Sequence, residues 1–321
     1  MANKPCSVSE VNAVADNTGF LRGRLLVVAF EGWNDAGEAA TGAVKTLQEL
    51  LDLSPIAEID PEVYYDYQFN RPTMTSDDNG VRFLEWPGTT IYGPVAPRDA
   101  GAGIAADAEL EMSGDNAGNI HLVLGVEPSR SWKSFAAEIV DAALAADIGG
   151  IVFLGAMLAD VPHTRPISIF VSTENDQLRS ELQIERSSYE GPVGILSVIA
   201  DAAETVGIPT LSIWASVPHY VHNAPSPKAM LALIDKLEEL IDVVIPRGDL
   251  VEEASAWETG INQLAGEDEE MAAYIEQLEQ ARDTVDSPEA SGEAIAREFE
   301  QYLRRRGDGR PDEPWRGGGG S

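Results

Sequence analysis

The chain has 321 residues, 44% of them hydrophobic, with a formal net charge of −32 and a pI near 4.2. A field of that sign repels phosphate backbones and anionic lipid, so nucleic acid and membrane surfaces are excluded as partners. No apolar run approaches the roughly 20 residues that a bilayer-spanning helix needs, and the length suits one large domain with a real core, alone or with a smaller one.

Residues 1–20 lack a charged start followed by a long apolar core, so they read as a disordered leader of a cytoplasmic protein rather than a secretory signal. They hold Cys6, the sole cysteine, which rules out an intrachain disulfide. The apolar run Leu25 to Phe30 then reads as a buried strand. It leads through Glu31-Gly32-Trp33-Asn34-Asp35-Ala36-Gly37-Glu38 into an amphipathic helix from Ala39 to Leu51. Asp35 is expected to cap a helix starting near Ala36, with Glu38 at the spacing of a capping box. Gly32, Gly37 and Gly42 allow a tight turn and close helix–sheet approach. The turn has neither a Lys-Ser/Thr pair after its glycines nor G-x-G-x-x-G, so it is not a phosphate loop.

Thr73 to Ser76 and Val81 to Trp86 are extended and flank Asp77-Asp78-Asn79-Gly80, a hairpin signal. Arg98 to Asn119 is polar, acidic and glycine-rich, an excursion from the core. Further buried strands are expected at His121 to Val126, Ile151 to Leu154, Ile167 to Val171 and Thr210 to Ala215. Helices are expected at Trp132 to Leu144, at Pro192 to Val206, and from the cap-and-proline start Ser226-Pro227 to about Val244. Strands alternating with helices predict a three-layer α/β/α domain over residues 21–247 with a mostly parallel sheet. Residues 248–306 lack strand-like runs and read as an acidic helical appendage, and 307–321 as a disordered tail.

A parallel sheet gathers its strand-end loops at one edge, where α/β folds bind ligands. That edge should hold Glu31, Trp33, Asn34 and Asp35 after the first strand, and Glu127, Ser129 and Arg130 after Val126. Asp160, His163, Thr164 and Arg165 follow the central strand, and His219, Tyr220 and His222 the last. The set includes acids and bases, yet each member has a capping or pairing alternative: Asp35 as a cap, Arg165 as a partner of Glu31 or Asp160. His219 and His222 have no H-E-x-x-H or cysteine pair beside them, and no G-x-S-x-G occurs. No catalytic set, metal site or cofactor is therefore predicted.

Four segments resemble the bacterial branch of the proteasome assembly chaperone two family: Ala29-Phe30-Glu31-Gly32-Trp33-Asn34-Asp35-Ala36-Gly37, the run from Gly155 to Pro166, Tyr189-Glu190-Gly191-Pro192-Val193-Gly194, and the run from Trp214 to Val221. The similarity spans Leu25 to Val244. It implies an α/β/α domain related to the nucleoside phosphorylase fold, homo-oligomers with a trimer as the first guess, and no established reaction. Archaeal chaperones of this type dock the proteasome through a C-terminal hydrophobic-Tyr-any residue tail. This sequence ends in Pro314-Trp315-Arg316 and a Gly-Ser run, so a proteasome link rests on analogy. Two functions fit these observations. One is a non-catalytic, chaperone-like or scaffold protein that binds a protein partner. The other is a protein with a strand-end site for a nucleoside-like or anionic small molecule.

Overall fold

The computed structural model describes residues 23–77, 79–94, 119–184, 186–187, 189–221, 225–241 and 244–286. The leader with Cys6, most of the acidic excursion, His222, the last expected helix of the appendage and the tail lie outside these residues. Contacts between Cα atoms divide the chain into two compact units, one ending at Leu264 and one beginning at Ala265.

The first unit is built on a seven-stranded sheet in the order β2-β5-β6-β1-β7-β9-β8. Its centre is β6 (Ile120–Val126), β1 (Arg24–Glu31), β7 (Ile148–Ala159) and β9 (Thr210–Pro218), all mutually parallel. These are the long apolar runs, buried on both faces as parallel strands are. The sheet is mixed around this parallel centre. The flanking strands β5 (Thr89–Gly93), β2 (Ser54–Ile59) and β8 (Ile169–Ser172) all pair antiparallel. Strand direction follows from which edge each connection leaves, and short strands carry no signal for that.

Helices α1 (Ala39–Leu50) and α5 (Pro227–Ile241) cover one face, where Ala40, Val44, Leu233 and Leu237 pack against Val27, Leu122 and Ile213. Helices α2 (Trp132–Ala145) and α4 (Ile195–Thr205) cover the other, with Phe135, Ile139 and Ile199 on Val28, Phe30 and Phe153. This is the expected α/β/α sandwich. Gly42 serves helix–helix rather than helix–sheet approach: a Cβ there would lie 2.3 Å from Cε of Met230 in α5. A short helix, α3 (Asp176–Leu182), is capped by Asn175, whose side chain accepts from the N–H groups of Gln177 and Leu178 at 3.1 Å each.

Strands β3 (Thr73–Ser76) and β4 (Arg82–Glu85) form the expected hairpin as a separate two-stranded sheet. Asp77 shapes its turn by accepting from Asn79 and Val81 N–H at 3.0 and 2.7 Å, and Gly80 takes a φ of +78°. After α5 the chain enters α6 (Leu250–Gly266), whose Leu250 joins the α1–α5 core, while the second unit carries α7 (Glu269–Asp286). Among the described residues no helix is long and apolar enough to cross a membrane.

Candidate functional site at the strand ends

The parallel centre delivers the chain after β1, β6, β7 and β9 to one edge, and its polar residues form two groups there. The first surrounds the end of β1. The turn folds with Asp35 N–H donating to Gly32 O at 3.1 Å and Glu38 N–H to Asp35 O at 3.1 Å. Gly32 sits at φ +117°, and a Cβ there would lie 3.4 Å from Cβ of Glu127, so a side chain would be strained and crowded.

Asp35 caps a helix, though not one starting at Ala36. Residues Ala36 to Glu38 make a 3₁₀ turn that ends with Glu38 at φ 50°, and the α-helix starts at Ala39. The Asp35 carboxylate reaches over that turn. Its Oδ1 accepts from Ala40 N–H at 2.7 Å and Thr41 N–H at 3.2 Å, and its Oδ2 accepts from the Thr41 hydroxyl. These are the orphan donors that an ordinary cap would satisfy. Glu38 is exposed and the Asp35 N–H donates to Gly32 O rather than to its side chain, so the capping box is absent. Burial pushes the Asp35 carboxyl above the usual 3.8; bonds from Thr41 and Ala40 oppose the shift, and the nearby Glu31 charge adds to it.

Glu127 treats α4 the same way. Its Oε1 accepts from Ile195 N–H at 2.8 Å and from Asn34 Nδ2 at 3.2 Å. Asn34 is buried, its carbonyl accepts from Ala156 N–H at 2.8 Å, and its side chain fills the space where Gly194 would carry a Cβ. Glu31 lies further out and pairs with Lys45 at 3.0 Å. Trp33 is 64% exposed and faces solvent beside this group. Strand order reverses around β1, the position where an α/β sheet opens a ligand crevice and a helix N-terminus attracts an anion. Here two of the chain's own carboxylates sit on the helix N-termini.

The second group lies beyond it, because β7 and β9 run on together to Ala159 and Pro218. His163 is fully buried. Its Nε2 meets Asn262 Oδ1 at 3.1 Å and its Nδ1 meets the Tyr220 hydroxyl at 2.9 Å. With an amide oxygen as acceptor, Nε2 carries the proton and Nδ1 accepts from Tyr220. The Tyr220 oxygen also accepts the His163 backbone N–H at 2.8 Å. Trp257 packs edge-on against the His163 ring at 6.3 Å. Lys228 bridges the His163 carbonyl, at 2.6 Å, and Glu258, at 2.5 Å. His219 Nδ1 is 3.2 Å from Asp160 Oδ1. Arg165 contacts Thr164 Oγ1 at 3.4 Å. The group thus ties the β7 and β9 loops to α5 and α6.

Ser129 and Arg130 hold a loop. The Arg130 guanidinium donates to the carbonyls of Tyr65, at 2.7 Å, and Val63, at 3.2 Å, and Ser129 Oγ donates to Asn70 at 2.8 Å. Among the described residues no three His, Cys, Asp or Glu side chains stand ready for a metal ion. An open groove along α5, lined by Ile167, Ile169, Leu231 and Lys236, shares only Lys228 with the strand-end groups. Sequence reasoning missed Thr41, Lys228, Trp257, Glu258 and Asn262. Thr41 was within reach of a local argument, since it follows Asp35 by only six residues. The α6 residues were not, because only tertiary packing returns them to this edge.

The model of the PAC2 family matches residues 29–265. The chain belongs to the PAC2 family. A PAC2 protein of known structure from Streptomyces avermitilis is 41% identical over 78% of this chain and 99% of its own, with a TM-score of 0.66. A proteasome-assembly chaperone homologue from Mycobacterium tuberculosis is 39% identical over the same shares, with a TM-score of 0.65. An archaeal proteasome activator from Pyrococcus furiosus shares the fold at 14% identity, over 75% of this chain and 93% of its own, with a TM-score of 0.56. No relative is found among curated proteins.

Proposed function

We propose that this PAC2 protein is a non-catalytic, homo-oligomeric, chaperone-like protein of the cytoplasm that binds a protein partner. The observation that carries the reading is the state of the strand-end edge. The N-termini of α1 and α4 are capped by Asp35 and Glu127, and the buried His163 has hydrogen-bonded partners at both ring nitrogens. A general base needs a lone pair facing substrate, and an anion needs free N–H donors. These residues spend both on the fold. Relatives point the same way: the mycobacterial protein is described as a proteasome-assembly chaperone homologue, and the Pyrococcus furiosus protein as a proteasome activator. A trimer, as the family resemblance implies, is the assembly proposed.

The reading is tested by offering the purified protein a panel of nucleosides with inorganic phosphate, and ATP with Mg²⁺, while following turnover and thermal stability. Neither turnover nor stabilisation is expected. Turnover that disappears in Asp35→Asn, with the folded spectrum retained, would show an active site and end the proposal.

A further inference from the structure

We infer that the strand-end edge, together with the β3–β4 hairpin beside it, docks a protein segment with an apolar centre flanked by lysine or arginine. This rests on the reading that the chain binds a protein partner, and it names the surface and the chemistry of what fits there.

The topology brings several segments to one edge. Strand β2 runs antiparallel to β5 and ends at Ile59, level with Thr89, which is itself level with Gly125 near the end of β6. The loop after β2 and the residues that lead from β4 into β5 therefore emerge beside the turn after β1. Hydrogen bonds weld them together. Ser129 N–H and Arg130 N–H donate to Tyr64 O at 2.9 and 3.2 Å, and Tyr65 donates to Val126 O at 2.8 Å. The Tyr67 ring meets Trp86 at 4.9 Å and so ties the hairpin base to the same loop. Asn34 and Glu127 bind the start of α4, and with it Val193, to the β1 turn.

On this welded frame the apolar side chains face outward. Phe69 is 84% exposed, Trp33 64% and Tyr189 63%, and Phe83 and Trp86 on the hairpin are about half exposed. Of the six exposed aromatic side chains among the described residues, Phe170 alone lies elsewhere, on β8. A folded chain does not gather aromatics on one edge without use, and aromatics on a rigid support are what binding centres are made of.

Charge decides the occupant. The exposed charged residues around these aromatics are Glu38, Asp60, Glu62, Asp77, Glu85 and Glu190 against Lys45, Arg71, Arg82, Arg130 and Arg186, and Arg186 is held by Glu174. Arg130 is turned inward onto carbonyls and Lys45 is held by Glu31. Two copies facing each other through this edge would oppose acid to acid on chains that each carry −32. A segment with a hydrophobic middle and basic flanks meets both features, with the aromatics supplying affinity and the rim supplying orientation and on-rate.

The test uses the full chain and two fluorescent peptides with the same Leu/Phe centre, one flanked by Lys/Arg and one by Glu. Anisotropy should report binding of the basic peptide only, weakened about tenfold or more between ~0.05 and ~0.5 M salt. Trp33→Ser and Phe69→Ser together should weaken it by at least about tenfold, while Leu144→Ser, at the opposite end of the sandwich, should leave it unchanged. Equal loss in Leu144→Ser, or none in the edge variant, would mean that diffuse charge and not this edge binds the peptide. Binding of the acidic peptide, or of neither, would overturn the proposal. So would an edge variant whose light-scattering mass collapses, because the edge would then join copies. Failure here leaves the non-catalytic reading standing, since that falls only to turnover.

Discussion

Replacing Asp35 by alanine separates a cap built into the core from an ordinary surface cap. From the sequence alone, loss of a helix cap costs about 1 kcal/mol. The structure raises that figure. Asp35 is only 8% exposed, Thr41 is fully buried, and the carboxylate serves two backbone N–H groups and one hydroxyl. Alanine would strand all three donors. A hydrogen bond to a charged group contributes about 1.5–3 kcal/mol and a stranded buried donor costs about 1–3. The buried charge already carries a desolvation cost, visible in its raised pKa, so the full loss is not realised. We expect Asp35→Ala to lose about 3 kcal/mol, a fall in Tm of roughly 6–12 °C for a domain of this size. Asp35→Asn, which keeps one acceptor oxygen, should lose about half. The pH dependence follows from the direction of the shift. The folded protein holds the Asp35 proton more tightly than the unfolded chain does, so this group's contribution is full below 3.8 and is lost as pH rises through the raised folded value. The stability gap between wild type and Asp35→Asn should therefore narrow as pH rises through that window. Urea unfolding at several pH values measures both quantities. A loss below about 0.5 kcal/mol in the alanine variant would refute the capping account.

Gly125→Ala should cost about 1–3 kcal/mol, because its Cβ would meet Thr89 Oγ1 at 2.3 Å and Gly88 O at 2.7 Å, and backbone cannot step aside; unchanged thermal unfolding would show that β5 is free to shift. Asn262→Ala removes the α6 partner of His163 and should speed amide exchange in α6 before that of β1 and β7, whereas uniform acceleration would contradict a local tether. Burial pushes the Tyr65 phenol up to about 12, so the stability it contributes below pH 10 is lost between pH 10 and about 12. Absorbance titration of the folded protein should show late-ionising tyrosines, since burial and Glu138 push Tyr64 up to about 12 as well, and Tyr65→Phe should remove one of them; all eight tyrosines ionising together near pH 10 would oppose this. Light scattering should give a mass near three times the 34.5 kDa chain, and a monomer mass at high concentration would dispose of the oligomer.

The long apolar runs made β1, β6, β7 and β9 legible in advance, and periodicity did the same for α1, α2, α4 and α5, because burying such faces away from water is the main driving force of folding. Asn-Gly announced the hairpin. Strands β2 and β5 escaped for physical reasons. Strand β2 holds Pro55 and is largely exposed, so it lacks an apolar run, and β5 is five residues of threonine, isoleucine, tyrosine and glycine. Their antiparallel pairing is set by the edge from which the chain re-enters the sheet, a property of connections rather than residues. The strand-end edge shows the same division. Its polar residues and family resemblance were plain in the residues themselves, for motifs are local. What each side chain does there was decided by the fold. Asp35 reaches past a 3₁₀ turn to a helix that begins later than its sequence suggests, and Glu127 caps a helix that starts 68 residues further on. His163 finds its partner 99 residues away in α6. Hydrogen bonds of that range depend on where packed helices end, and only the assembled core fixes those ends.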